Sequence, residues 1–347
     1  MSVNLNKVRL FSEIRCIFVK ILLKMLNRRI LRIKAFKVLY GAVFTRDSQN
    51  PPELKDLEAA LGQSCEATRD LYMLMLGTIV PLTDLARQRI EAASRKINKT
   101  EAEKNPNTKF ADNALATLFR EDEVFGKLFK KRFPKFDWGQ YDLIFKSMLN
   151  DIALKDWYRE YMESPDRSLA GDVRLFIHIF EEEFVDNDDI AAILEDMSLL
   201  WNDDLAYALS CCCRSLELIS RGGRWTLPPL YQSDTLSLEG RKVESDRDFS
   251  LKLLRCSYAA YGKYSDLLSS LVSSFEKDRL VSTDVCLMVC CLAEVMNFDS
   301  IPARVSINEY VEISKFYGTP KSSIFVNGLL DRAVRKLLSE SGSTKTL

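Results

Sequence analysis

Residues 301–338 read IPARVSINEYVEISKFYGTPKSSIFVNGLLDRAVRKLL, and this stretch decides the fold. It spells one helix, a sharp break and a second helix. Gly318 stands where a C′ glycine ends the first helix. Thr319 and Pro320 suit the N-cap and N1 positions of the next. In that second helix Val326, Leu329, Ala333 and Leu337 form a core stripe at helical spacing, with Phe325 beside it.

The helical period extends outward over most of the chain, and strand-type alternation is scarce. Helices are predicted over 27–45, 53–61, 64–97, 111–131, 138–162, 168–184, 187–199, 201–221, 248–261, 263–276, 282–297, 303–317 and 320–340. Linkers fall at 47–52, 98–108 and 221–245, where Pro, Gly, Asn and Ser interrupt the period. The fold class is therefore all-α. With 347 residues, 47% of them hydrophobic, the chain can bury one large core or two modest ones.

Formal net charge is zero, but its distribution is uneven. The first 50 residues hold eleven Lys/Arg against two Asp/Glu. Such an arm fits a nucleic-acid partner or a solvated basic segment. Residues 16–26, CIFVKILLKML, are too short and, with Lys20 and Lys24, too charged to span a bilayer. No membrane partner is expected. Residues 1–24 read as an N-terminal extension, from a misplaced start or as an amphipathic arm.

Nine cysteines, an odd number with several adjacent, read as reduced buried thiols in a cytoplasmic protein. His178 is the only histidine and no CxxC spacing occurs, so neither a metal site nor a cofactor is expected. His178 itself reads as a packed helix residue. No glycine-rich phosphate loop or P-loop is present, which argues against an enzyme. Residues 181–204 carry ten acidic side chains and no basic one. They read as an acidic-faced helix pair over Ile190, Leu194, Met197, Leu199, Leu200 and Trp201, either a solvated face or a dock for a basic partner.

The segment NRRILRIKAFKVLYGAVF, 27–44, is basic and amphipathic. Leu26, Ile30, Ile33, Tyr40 and Phe44 would form its buried stripe. Arg28 and Arg32 lie one turn apart and clear of that stripe, with Lys34 on its other flank. Arg29 and Lys37 lie nearer the apolar arc. Guanidinium groups bind phosphates and stack on unpaired bases, and Tyr40 could add an aromatic platform. Alone, the pattern also fits a membrane-surface or structural helix.

Three elements together resemble the NusB family: this basic helix ending in Val38, Leu39 and Tyr40; the apolar DVCLMVCCLAEV at 284–295; and the signature INE (307–309), GT (318–319), FVNGLLD (325–331). The resemblance implies two three-helix bundles, split here by a large helical insertion. The corresponding domains are 1–24 (extension), 25–46 (arginine-rich first helix), 47–248 (helical insertion), 249–340 (rest of the family core) and 341–347 (tail). It further implies an RNA-binding transcription antitermination factor. Such a factor binds boxA-like single-stranded RNA with NusE, a small-subunit ribosomal protein, within the antitermination complex of RNA polymerase.

Carried over by position, Arg28, Arg29, Arg32, Lys34 and Tyr40 belong to the RNA face. Lys321, Ser322, Phe325 and Asn327 form a second group at the start of the last helix. Phe325 reads equally as core and Asn327 as a backbone cap. Asn308 and Glu309 read as helix-stabilising and packing residues. The chain departs from the compact family in its insertion and in Lys321, where an acidic residue is common. The alternative function is a protein-interaction scaffold that works through the acidic insertion.

Overall fold

The computed structural model describes residues 24–44, 51–232, 244–272, 280–318, 322–341 and 345, with the backbone of 235–236 and 242–243. In chain order the helices are α1 (Arg28–Phe44), α2 (Leu54–Leu76), α3 (Ile79–Ser94), α4 (Glu101–Lys104), α5 (Ala114–Glu121), α6 (Glu123–Arg132), α7 (Asp142–Ala153) and α8 (Asp156–Glu163). There follow α9 (Leu169–His178), α10 (Asp188–Met197), α11 (Leu205–Ser220), α12 (Asp246–Ala259), α13 (Tyr261–Leu271), α14 (Ser282–Asn297), α15 (Ala303–Tyr317) and α16 (Ser322–Ser341). A two-residue antiparallel pair, β1 (Thr235–Leu236) with β2 (Lys242–Val243), is too small to alter the all-α class. Among the described residues no helix is long and apolar enough to cross a membrane.

The described chain forms two compact units, Glu66–Pro228 (the middle unit) and Lys24–Cys65 with Pro229–Leu347 (the core unit). In the core unit, α14 packs against α1, α12, α13, α15 and α16. Its central place follows from its sequence: residues 286–295 are all buried, and a helix apolar all round needs neighbours on every side. Leu31, Phe36 and Leu39 of α1, Leu253 and Leu254 of α12, and Leu329 and Leu330 of α16 fill the same core. The chain enters α1 through two backbone hydrogen bonds, Met25 and Leu26 N–H to the carbonyls of Pro229 and Leu230 (2.8 and 3.0 Å). The Asn27 side chain then accepts from the Ile30 N–H (2.9 Å) and caps the helix.

Two expectations change here. The buried side of α1 is Leu31, Arg32, Lys34, Ala35, Phe36, Leu39 and Ala42, while Ile30, Ile33 and Tyr40 are half-buried and Phe44 is exposed. The stripe is thus rotated, because Glu294 on α14 and Ser64 on α2 supply polar partners inside for Arg32 and Lys34. Gly318 ends α15 with φ −91° and ψ 174°, extended backbone rather than a left-handed cap. Glycine is required there by close approach: a Cβ would collide with Ser322 Oγ and lie 2.8 Å from Asp284 Oδ1. The expectations for residues 1–23, Thr319, Pro320 and Lys321 fall outside the described residues.

The middle unit is built around aromatic side chains. Phe110, Phe145, Phe176, Phe180 and Phe184 are buried, as are Tyr72, Trp201 and Trp225. Tyr72 Oη, buried in this core, receives a hydrogen bond from Trp225 Nε1 (3.0 Å) and pairs with Ser215 Oγ (2.8 Å). The helix break expected near Gly62 lies instead at Gly77, between α2 and α3. Buried Leu57, Leu61 and Cys65 carry α2 through Gly62, whose cost inside a helix is only about 1 kcal/mol. At Gly77 the Phe129 ring occupies the space a Cβ would need.

His178 is exposed rather than packed: its ring lies flat against Trp157 (5.5 Å, 11°), and its Nδ1 lies 3.5 Å from Glu182. In the acidic segment Ile190, Leu194 and Trp201 are core, but Leu199 and Leu200 are exposed. The eight described cysteines are free thiols, seven of them buried.

Candidate nucleic-acid interface

The basic residues of α1 face a row of carboxylates contributed by distant parts of the core unit. Asp246, at the start of α12, accepts from Lys24 Nζ at 2.7 Å and from Arg28 Nε at 3.5 Å. Arg28 also donates to the Glu244 carbonyl at 3.3 Å, and its guanidinium lies 4.8 Å from the centre of the Phe249 ring. Glu309, on α15, receives a two-pronged pair from Arg29 Nε and Nη2, both at 2.9 Å. Glu294, on α14, receives the same kind of pair from Arg32, at 2.8 and 2.7 Å.

The Arg32–Glu294 pair is the innermost. Both side chains are buried, and Glu294 also accepts from Ser306 Oγ (2.7 Å) and Tyr310 Oη (3.4 Å). Burial by itself lowers the Arg32 pKa, but the hydrogen bonds and charge of Glu294 outweigh it and raise the pKa above the ordinary value. Burial and the Glu294 carboxylate together push the Tyr310 hydroxyl well up. A buried ion pair endures only when its remaining hydrogen-bond capacity is met, and the hydroxyls of Ser306 and Tyr310 meet it on the Glu294 side.

The Arg29–Glu309 pair is more open, with side-chain exposures of 37% and 24%. Burial alone would raise the Glu309 pKa, yet the hydrogen bonds and charge of Arg29 hold it below the ordinary value. Further along α1, Phe36 meets the Tyr317 ring edge-on (5.5 Å) and Lys37 Nζ lies 5.6 Å from the same ring. Residue 29 reaches 309 and residues 36 and 37 reach 317, so α1 and α15 run in the same direction and meet through these side chains.

The predicted RNA-face residues therefore separate. Arg28 and Arg29 are half-exposed and held by carboxylates. Tyr40 is half-buried, with its ring 6.1 Å from Phe36 and 4.4 Å from Phe44. Arg32 and Lys34 correct the expectation of an open basic face: both are buried, Arg32 on Glu294 and Lys34 on Ser64 Oγ (3.2 Å). In α16, Asn327 is exposed, Phe325 half-buried and Ser322 buried. Ile324 is 76% exposed. Helix α15 ends at Tyr317, beside Phe36 and Lys37 of α1.

Asp246, Glu294 and Glu309 had no part in the predicted site. Glu309, the acidic residue of the INE signature, turns out to be the counter-ion of Arg29. Glu294 was legible as the one charge within ten consecutive core positions, where a partner of opposite sign is needed.

The profile of the NusB family matches residues 230–335. The transcription antitermination protein NusB of Dictyoglomus thermophilum is 35% identical over 114 residues, covering 30% of this chain and 76% of that protein. The chain belongs to the NusB family. The Salinibacter ruber NusB protein is 30% identical over 102 residues, covering 29% of this chain and 64% of its own length. The Natranaerobius thermophilus protein is 36% identical over 75 residues, covering 22% and 54%. The chain thus spans between half and two thirds of the length of these last two NusB proteins. The matched residues 230–335 include α12–α15 and most of α16, hence Asp246, Glu294 and Glu309. No solved structure matches the chain.

Proposed function

We propose that this NusB-family chain is an RNA-binding transcription antitermination factor. It would bind boxA-like single-stranded RNA together with the ribosomal protein NusE, as part of the antitermination complex of RNA polymerase. The observation that carries the reading is the row of contacts from α1 to its neighbours, Arg28 to Asp246, Arg29 to Glu309 and Lys37 to the Tyr317 ring, which leaves these three basic side chains half-exposed along one helix. A guanidinium held by a carboxylate on one edge keeps donors for a phosphate on the other. The RNA face in this reading consists of Arg28, Arg29, Lys37 and Tyr40 with Lys321, Phe325 and Asn327. Arg32, Lys34 and Ser322 lie behind it as positioning residues. The role is binding and assembly rather than catalysis.

The test is fluorescence anisotropy with a boxA-like RNA and a scrambled control, each with and without NusE. Preferential binding that NusE strengthens is expected, and Arg28→Ala with Arg29→Ala should weaken it about tenfold or more. Equal affinity for both RNAs, unchanged by NusE, would sink the reading.

A further inference from the structure

Residues 123–136, EVFGKLFKKRFPKF, form α6 and the loop after it, inside the middle unit and outside the residues the family profile matches. The segment carries five basic residues and one acidic. Lys127, Lys130 and Lys131 recur at helical three- and four-residue spacing, so they share one face of α6. They are exposed, as is Lys135 in the loop. Among the described residues Lys127 pairs only with exposed Glu123 (2.7 Å), while Lys130, Lys131 and Lys135 have no carboxylate within ion-pair distance. Arg132, in contrast, is taken by Asp70 and by Glu66 at 3.5 Å.

The other side of the same segment is a row of rings. Phe129 and Phe133 have centroids 5.1 Å apart, Phe133 and Phe136 6.2 Å, and Phe136 and Tyr141 6.1 Å. These four rings are half-buried, so each keeps an open part, and Phe129, Phe133 and Phe136 alternate along the chain with Lys130, Lys131 and Lys135. The row is anchored beneath. Phe136 meets buried Trp138 edge-on (4.9 Å), Trp138 Nε1 donates to the Leu74 carbonyl (3.3 Å), and Phe129 fills the space left by Gly77.

Unpaired lysines beside fixed, partly open rings match a particular chemistry. Single-stranded nucleic acid offers phosphates to the first and unstacked base faces to the second. A membrane surface would use the same charges, but it rewards apolar side chains that protrude, and these rings are seated in the fold. We propose that Lys130, Lys131 and Lys135, with Phe129, Phe133 and Phe136, form a second binding surface for single-stranded RNA in the middle unit. The surface binds without sequence readout, since every base has a face to stack. It does not depend on the boxA reading of the core unit.

The test uses the full chain and a labelled oligouridylate, which contains no boxA sequence, titrated over a range of salt. The variant Lys130→Ala/Lys131→Ala/Lys135→Ala should bind about tenfold or more weakly. Its log–log salt slope should fall by about two, at roughly 0.7 per neutralised phosphate on a single strand. Phe133→Leu keeps an apolar filler but removes the π face, and should lose affinity severalfold at an unchanged slope. Unchanged oligouridylate affinity in either variant overturns the proposal. So does a lysine variant that loses binding to phosphatidylserine-containing vesicles while keeping its RNA affinity. Preference for boxA-like over scrambled RNA, measured in parallel on the parent chain, reports on the core unit alone, so the two readings can fail separately.

Discussion

Helix α1 and the α6 segment have much the same count of basic residues, yet they hold their charge in opposite ways. On α1 the arginines turn toward the protein: Arg29 onto Glu309, Arg32 onto Glu294, Arg28 onto Asp246. On α6 the lysines turn away, and only Arg132 points inward. Side-chain chemistry accounts for most of the division. A guanidinium can be buried because it meets a carboxylate with two parallel hydrogen bonds, whereas an ammonium is strongly hydrated and, in these two segments, goes inside only at Lys34, on Ser64 Oγ. A count of basic residues therefore overstates what α1 offers to RNA, and the charge available for phosphate depends on counter-ions hundreds of residues away.

The most forceful way to break this comparison is to remove a counter-ion. Glu294→Ala takes from buried Arg32 its two-pronged partner and leaves only the longer contact to Glu309 (3.6 Å), and should cost about 3–5 kcal/mol in urea denaturation. Arg32→Ala should cost a similar amount by orphaning Glu294, so it is a poor probe of RNA contact. Replacing both, as Arg32→Met with Glu294→Leu, should restore most of the loss, because buried pairs are often matched by apolar groups of similar volume. If Glu294→Ala stayed within about 0.5 kcal/mol of the parent, α1 would not be committed inward and the contrast with α6 would vanish.

The α6 side can be disturbed from below. Gly77→Ala places a methyl where the Phe129 ring lies, so the ring row must shift. The expected loss is about 1–3 kcal/mol by urea denaturation, with weaker oligouridylate binding. A variant as stable as the parent, with oligouridylate affinity intact, would mean that the rings need no such anchoring.

How far the sequence reaches is visible in these same residues. The all-α class, the helices α15 and α16 and the apolar α14 follow from local spacing, and the structure keeps them. The inward turn of Arg32 and Lys34 was hidden, since helical spacing alone places them away from the apolar stripe. What moves them inside is Glu294 on α14 and Ser64 on α2, and no local pattern links those positions to α1. Gly318 was recognised as necessary, but for its conformation, whereas the structure needs its lack of a side chain. The α6 segment could have been noticed from KLFKKRFPKF, in which basic and aromatic residues interleave. Its meaning still depended on which charges have partners, and spacing does not show that.

The α1 pairs also set how much RNA affinity can be changed. Glu309→Gln keeps a hydrogen-bonding side chain beside Arg29 but removes the carboxylate that competes with phosphate. Affinity for boxA-like RNA at low salt should rise severalfold, with a steeper salt slope. A fall instead would show that Glu309 matters more for orienting Arg29 than for neutralising it.

The smallest expected effect is on acid stability, and its sign follows from the same pair. Arg29 holds the Glu309 pKa below its ordinary 4.5 in the folded chain. The stabilisation from this group is therefore complete above about pH 4.5 and disappears as pH falls through the depressed folded value. A half-exposed ion pair contributes only about 0–1 kcal/mol, so the loss should be modest. Because Glu309→Gln has no carboxylate to protonate, its urea midpoint should fall less than that of the parent between pH 5 and pH 3. Equal losses in the two proteins would mean that Arg29 gains nothing from Glu309 in the folded state, and that its guanidinium is as available to phosphate as the lysines of α6.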